Sequence, residues 1–249
     1  MQIFVVPAYD EALNIPRLLA DLESRPALWA GGGRLLIVDD GSSDDTVAVA
    51  RAYEGPLPVE VLVQAQNMGP GRAFDRGFHR ALELCEHDED LIVTLEADTT
   101  SDLDALTKMF HEAHAGADLV LASVHAGGEL VGVGRRRAAL SRAAAAVIRH
   151  SAGLDARTVS SFFRVYRAGI LRDGYARFGD SLIQERGFAC KAELLAKLMR
   201  VDATVVEVPI SLDASRRQGE SKLRVLPTVA GYTRLVGRQV AYRMGVGAR

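Results

Sequence analysis

Leu91-Ile92-Val93-Thr94-Leu95-Glu96-Ala97-Asp98 decides the fold. An apolar, β-branched run that ends in two carboxylates reads as a buried strand (91–95) opening onto a polar loop. Upstream, 71–85 carries apolar residues at helical spacing. Downstream, 103–115 reads as a further helix and 119–122 as a further strand. Continuing toward the N-terminus, strands are expected at 59–63, 35–38 and 3–6, with helical patterns at 46–52 and 14–22 between them. This alternation argues for an α/β fold with a mostly parallel sheet flanked by helices. In such sheets ligands sit beyond the carboxyl ends of the strands. Here those ends carry Pro7-Ala8-Tyr9, Asp39-Asp40, Asn67 and Glu96–Asp98. Four strand ends converge on polar groups.

The chemistry of those groups is specific. Glu96 and Asp98 alternate at a strand end, so both can reach the mouth where strand gives way to loop. Carboxylate oxygens there suit a hard divalent cation, which neutralises a diphosphate and orients it as a leaving group. A carboxylate such as Asp39 can accept a hydrogen bond from a base N–H, and Asp40 can serve a ribose or support a metal. Gly41 permits the sharp turn after them. Ser43 and Asp45 read equally well as caps of the next helix.

The chain has 249 residues, 48% of them hydrophobic, enough for one elaborated domain with a substantial core. No run approaches the roughly 20 apolar residues that span a bilayer. Met1 leads directly into Ile3–Val6 without a basic segment or cleavage site, so the expectation is a cytoplasmic protein without a secretory signal. Cys85 and Cys190 read as two reduced, buried thiols. The net charge of -2 conceals an asymmetry: residues 1–134 hold 23 acidic and 8 basic side chains, and residues 135–249 hold 9 and 22. The first part suits divalent cations, the second phosphates or an anionic membrane surface. Nucleic acid is not an expected partner. In the second half the expectations are a basic helix at 135–150, a helix at 182–200, a strand at 204–208, a basic loop at 215–222 and an amphipathic helix at 227–244 bearing Arg234, Arg238 and Arg243.

Three segments, Pro7–Ile15, Val38–Thr46 and Asn67–Ala73, resemble in order and spacing the family-2 inverting glycosyltransferases of the GT-A fold. Glu96-Ala97-Asp98 falls where that family has its Asp-x-Asp metal motif. Ser161-Phe162-Phe163-Arg164, Gly187–Leu195 and Arg216–Leu223 are similar, more loosely, to the polyprenol/dolichol-phosphate sugar synthase branch. The resemblance implies a single GT-A (Rossmann-like) domain over 1–249, with a donor half (1–125), an acceptor half (126–226) and a C-terminal basic helix (227–249). It implies transfer from a GDP- or UDP-sugar to a polyprenyl phosphate, peripheral to the inner face of a membrane. Pro7, Tyr9, Glu11, Asp39 and Asn67 would hold the nucleoside, with Asp40 near ribose or metal. Glu96 and Asp98 would bind Mg²⁺ or Mn²⁺. Arg137, Arg164, Arg216, Ser221 and Lys222 would bind phosphates of donor or acceptor, and Asp98, Arg216 and Lys222 would act in catalysis. Arginine forks and a lysine point charge suit phosphate oxygens.

The chain departs from the branch at Glu96, Thr100, Ala122-Ser123-Val124, Thr158 and Phe162, mostly on the acceptor side. Two other readings therefore stand beside the first: a soluble glycosyltransferase for a small metabolite, and a non-catalytic nucleotide-sugar-binding module. A hydroxyl acceptor would need a general base, for which the candidates are Asp180, Glu185 and His125.

Overall fold

The computed structural model describes residues 1–131, 149, 156–159, 161–213, 216 and 225–243. The first half follows the predicted alternation: β1 (Gln2–Ala8), α1 (Ile15–Glu23), β2 (Arg34–Asp39), α2 (Thr46–Arg51), β3 (Val59–Val63), α3 (Pro70–Leu84), β4 (Leu91–Thr94), α4 (Leu106–His114) and β5 (Leu119–Ser123). Beyond it come β6 (Glu129–Val131), β7 (Arg164–Arg167), α5 (Ala168–Phe178), α6 (Cys190–Leu198), β8 (Val205–Pro209), β9 (Ser211–Asp213) and α7 (Val225–Arg243). Seven strands form one sheet in the order β3-β2-β1-β4-β7-β5-β8, and β6 pairs with β9 in a small parallel ribbon. Only β7 runs antiparallel to its neighbours, opposing Thr94 with Arg164 on one side and Leu121 with the same residue on the other.

Strand period explains the core. Along β1, Ile3 and Val5 enter one apolar layer with Leu36, Val38, Phe74 and Phe78; Phe4 and Val6 enter the other with Leu35, Ile37, Ile15 and Leu22. The α3 helix lies close against β1 and β2 because position 77 is glycine: a Cβ there would stand 2.4 Å from Val5 Cγ1. Pro70 starts that helix, where a missing N–H costs nothing.

Two expectations need correction. The helix expected at 182–200 is confined to Cys190–Leu198. Before it, the backbone N–H groups of Gln184 and Glu185 donate to the buried Glu193 carboxylate, at 2.9 and 2.7 Å, rather than to helical carbonyls. And β7 with α5 was not anticipated, because Arg164–Arg167 is too short and charged to read as a strand. The basic helix expected at 135–150 and most of the loop at 215–222 fall outside the described residues, as do Arg137, Ser221 and Lys222.

Candidate active site

The carboxyl ends of β1, β2 and β4 open side by side. β1 pairs with β2 through Ala8 and Asp39 and with β4 through Val5 and Thr94. The loops after them are fastened by side-chain-to-backbone hydrogen bonds. Asp10, at φ 51, accepts from Ser43 N at 2.7 Å, while Ser42 Oγ accepts from Asp10 N. Thr46 Oγ1 accepts from Glu11 N, and Asp44 from Ala12 N. Glu11 in turn accepts from Asn14 Nδ2 at 2.6 Å. The first two strand-end loops are therefore one mutually braced rim.

Asp39 and Asp40 are neighbours with different work. Asp39 is buried and accepts long bonds, 3.2–3.3 Å, from Gly41 N and Ser42 N of its own turn. Asp40 accepts from Gln64 Nε2, Met68 N and Gly69 N at 2.7–2.8 Å. Burial raises the Asp40 carboxyl above its ordinary range, against the opposing pull of those two amides. Its oxygens shape the loop after β3 through three protein donors, and the ribose or metal role of Asp40 stays an expectation. Gly41, at φ 72, closes the same corner; a Cβ there would stand 2.5 Å from the Gln66 carbonyl carbon. Pro7 and Tyr9 are half-buried on the rim and Asn67 is exposed.

At the end of β4, Asp98 is buried and accepts from Thr100 N at 3.2 Å and Thr100 Oγ1 at 2.7 Å. Glu96 Oε2 accepts from Ser101 Oγ at 3.1 Å. Burial first, and then the Asp98 charge, push the Glu96 carboxyl up; Lys191 and Ser101 pull the other way. Two mutually repelling carboxylates in a half-dry mouth are a donor set that a divalent cation fits. Among the described residues no group of three or more His, Cys, Asp or Glu is arranged to hold an ion. An ion here would share its coordination with ligand oxygens, as Mg²⁺-type sites built on one or two carboxylates do.

The second half places its charges differently from expectation. Arg164 is 1% exposed, and its guanidinium donates to the carbonyls of Lys191 (2.8 Å) and Val159 (3.2 Å). The fork expected to meet a phosphate thus lies inside the protein, with two of its nitrogens on backbone carbonyls. Arg216 donates to Asp21 Oδ2 at 2.6 Å, and its carbonyl accepts from Arg17 and from Thr99 Oγ1, so its backbone borders the Asp98 turn while its charge faces α1. Glu185, 4% exposed, receives Arg234 and Arg238 of α7. These two arginines thus face the domain, and Glu185 is occupied as a general base. Asp180 is exposed, and His125 N donates to Ser123 Oγ. Ser123 Oγ also meets Thr158 Oγ1 at 2.6 Å, so the departure at Thr158 forms a hydroxyl pair with the serine between the departures at Ala122 and Val124.

Sequence reading missed Lys191. Its Nζ stands 4.0 Å over the Phe162 ring and 5.4 Å from that of Phe188, within the field of Glu96. Burial lowers the ammonium to about 8, and Glu96 opposes the fall. Nothing in a linear pattern joins residues 96, 162 and 191; the signal lies in β7 pairing with β4.

An α/β domain with an acidic mouth at a braced row of strand ends offers a ligand site where such sheets bind their ligands. The model of glycosyl transferase family 2 matches residues 3–174, and the chain belongs to that family. It is a glycosyltransferase of GT-A-like fold. It is 32% identical over 222 residues to the undecaprenyl-phosphate mannosyltransferase of Micrococcus luteus, covering 88% of this chain and 86% of that one. It is 28% identical to the polyprenol monophosphomannose synthase of Mycolicibacterium smegmatis, covering 89% and 80%. Among solved structures, glucosyl-3-phosphoglycerate synthase from Mycobacterium tuberculosis with Mn²⁺, UDP and phosphoglyceric acid superposes with a TM-score of 0.63 at 19% identity, over 99% of this chain and 79% of that one. That last likeness is one of fold. No helix among the described residues is long and apolar enough to cross a membrane.

Proposed function

We propose that the protein transfers a sugar from a GDP- or UDP-sugar to a polyprenyl phosphate, with inversion, at the surface of an anionic membrane. The observation that carries the reading is the pair Glu96 and Asp98 at the end of β4, beside the rim made by the loops after β1 and β2. On this rim Pro7, Tyr9, Glu11, Asp39 and Asn67 bind the nucleoside. Glu96 and Asp98 hold Mg²⁺ or Mn²⁺; when bound, the ion neutralises charge that builds on the leaving diphosphate. The acceptor phosphate oxygen bonds to the anomeric carbon as the bond from that carbon to the donor phosphate oxygen breaks. The electron pair leaves with the nucleoside diphosphate.

A phosphate is already an anion near neutral pH, so the reaction needs no strong general base. The engagement of Glu185 by two arginines supports that reading. So do the two relatives named for polyprenyl phosphates, each similar over nearly nine-tenths of this chain. Arg137, Ser221 and Lys222, with Arg216, are proposed to meet the acceptor phosphate. A small phosphorylated acceptor is the second reading. It is favoured by Phe162, which stands where the lipid-phosphate branch has glycine and packs on Phe74 at 4.6 Å.

The test is transfer of radiolabelled sugar from a panel of GDP- and UDP-sugars to short-chain polyprenyl phosphate, with Mn²⁺ and anionic liposomes. Labelled lipid that disappears on chelation is expected. Turnover only on water-soluble phosphates would replace the lipid acceptor, and tight donor binding without any turnover would replace catalysis with a binding role.

A further inference from the structure

Lys191 stands near Glu96, and among the described residues its side chain makes no hydrogen bond. Among the described residues no acceptor lies within bonding distance of its Nζ, whereas the other lysine of the same helix, Lys197, donates to Glu193 Oε1 at 2.7 Å. The Lys191 side chain is nonetheless held. Its carbonyl receives the buried Arg164 guanidinium, and its ammonium rests against the π face of Phe162, with Phe188 on a second side. Phe162 is itself fixed: it packs on Phe74, and its carbonyl receives the Thr94 hydroxyl from the end of β4, two residues before Glu96. Lys191, Phe162, Phe74 and Thr94 line one small, mostly apolar recess with a cavity volume of about 10 Å³. A cation seated on aromatic rings and within the field of the Glu96 carboxylate is placed to meet an anion.

Charge complementarity says which anion. Glu96 and Asp98 bring two negative charges and balance one divalent cation. Lys191 then leaves a positive charge near Glu96, the Arg164 guanidinium being turned inward to backbone carbonyls. The diphosphate of a nucleotide sugar carries two negative charges. We infer that Lys191 is a donor-binding residue, whose ammonium takes a diphosphate oxygen of the nucleotide sugar from the side opposite the Glu96–Asp98 pair. The inference rests on the glycosyl-transfer reading for the identity of the ligand only. It also relates the two departures at Glu96 and Phe162 to the same lysine: the ring seats the ammonium and the carboxylate's charge acts on it.

The test is isothermal titration of the full chain with inorganic pyrophosphate, UDP, GDP, uridine and guanosine, in Mn²⁺ and in EDTA. Lys191→Gln is expected to weaken pyrophosphate, and whichever nucleoside diphosphate the unaltered protein prefers, by about tenfold or more in both media, the scale of one charge-assisted hydrogen bond. The nucleosides should shift less than twofold, which also shows that the variant is folded. Lys191→Arg should restore most of the loss. Diphosphate binding unchanged in Lys191→Gln overturns the inference, as does failure of the unaltered protein to bind any diphosphate. If the only loss is a raised KM for polyprenyl phosphate, the donor assignment is overturned and the lysine belongs to the acceptor. Pyrophosphate binding that depends on Lys191, in a protein that transfers no sugar, would sink the transfer reading and leave this one standing.

Discussion

The strand-end rim and the segment from Arg164 to α7 use the same residue types in opposite ways. On the rim, Asp10, Asp39, Asp40 and Asp44 accept from backbone amides of loops that are adjacent in the fold, and so build the walls of the mouth. In the other region, Arg164, Glu185, Glu193 and Arg238 find one another, or buried backbone, across the interior. A charged residue in a motif can therefore line a site or hold up its wall. What separates the two is burial together with the number of protein partners already in place.

The largest effect should come from the mouth itself. Asp98→Asn keeps an acceptor for Thr100 while removing the charge, so folding should be preserved. Transfer should fall about a thousandfold, the scale of removing one charge-stabilising group from a leaving-group site. Steady-state turnover and the Mn²⁺-dependent part of nucleoside diphosphate binding check it together. Turnover within tenfold of the unaltered protein would move the charge-handling role away from β4. Next in size, Asp40→Ala strips the acceptor from Gln64, Met68 N and Gly69 N. The cost should be about 3 kcal/mol in denaturant unfolding. Full stability with lost nucleotide binding would instead make Asp40 a ligand-binding group and erase its contrast with Asp39.

The first half of the fold was legible because the strands there are apolar runs, interrupted in β3 only by Glu60, and each link is local. The mouth was legible for the same reason: Asp39, Asp40, Glu96 and Asp98 each follow their own strand directly. The division of labour between Asp39 and Asp40 was not, since it depends on Met68 and Gly69 arriving from the loop after β3. Arg164 sits in a short strand whose partners, β4 and β5, are 70 and about 45 residues away in sequence, so its burial has no local signature. Lys191 was invisible for the same cause. The C-terminal helix was read nearly to its bounds, yet its basic residues were expected to suit phosphates or an anionic membrane surface, because Glu185 lies some 50 residues upstream.

Glu185 offers a middle-sized way to break the contrast. Its backbone supports the rim as well: the Glu185 carbonyl stands 1.9 Å from where a Gly71 Cβ would be, and Arg186 O accepts from Gly71 N at 2.8 Å. Its carboxylate holds α7. Glu185→Gln should cost about 1–2 kcal/mol rather than the larger loss of a fully buried pair, because the Arg234 and Arg238 side chains are 60% and 42% exposed and can rehydrate. Hydrogen exchange should quicken across 225–243 and stay unchanged in β1 and β2. Acceleration that reached the loop at 67–71 would show that α7 and the rim are one cooperative unit.

The smallest expected effect tests whether Arg216 belongs to the wall or to the mouth. It pairs with Asp21 at 2.6 Å, both side chains about a third exposed, while its carbonyl borders Thr99. As a half-solvated ion pair it should contribute little, so Asp21→Asn should change stability by about 0.5 kcal/mol or less. The informative quantity is affinity. If Arg216 is shared between Asp21 and an incoming phosphate, removing its rival frees the guanidinium. Polyprenyl phosphate, or inorganic phosphate as its probe, should then bind about two- to fivefold more tightly, with the gain vanishing in 0.5 M salt. Unchanged affinity at low salt would leave Arg216 as a strut between α1 and the turn after β4. It would then stand with Arg164 among the arginines whose motif position pointed to a phosphate while their partners are protein.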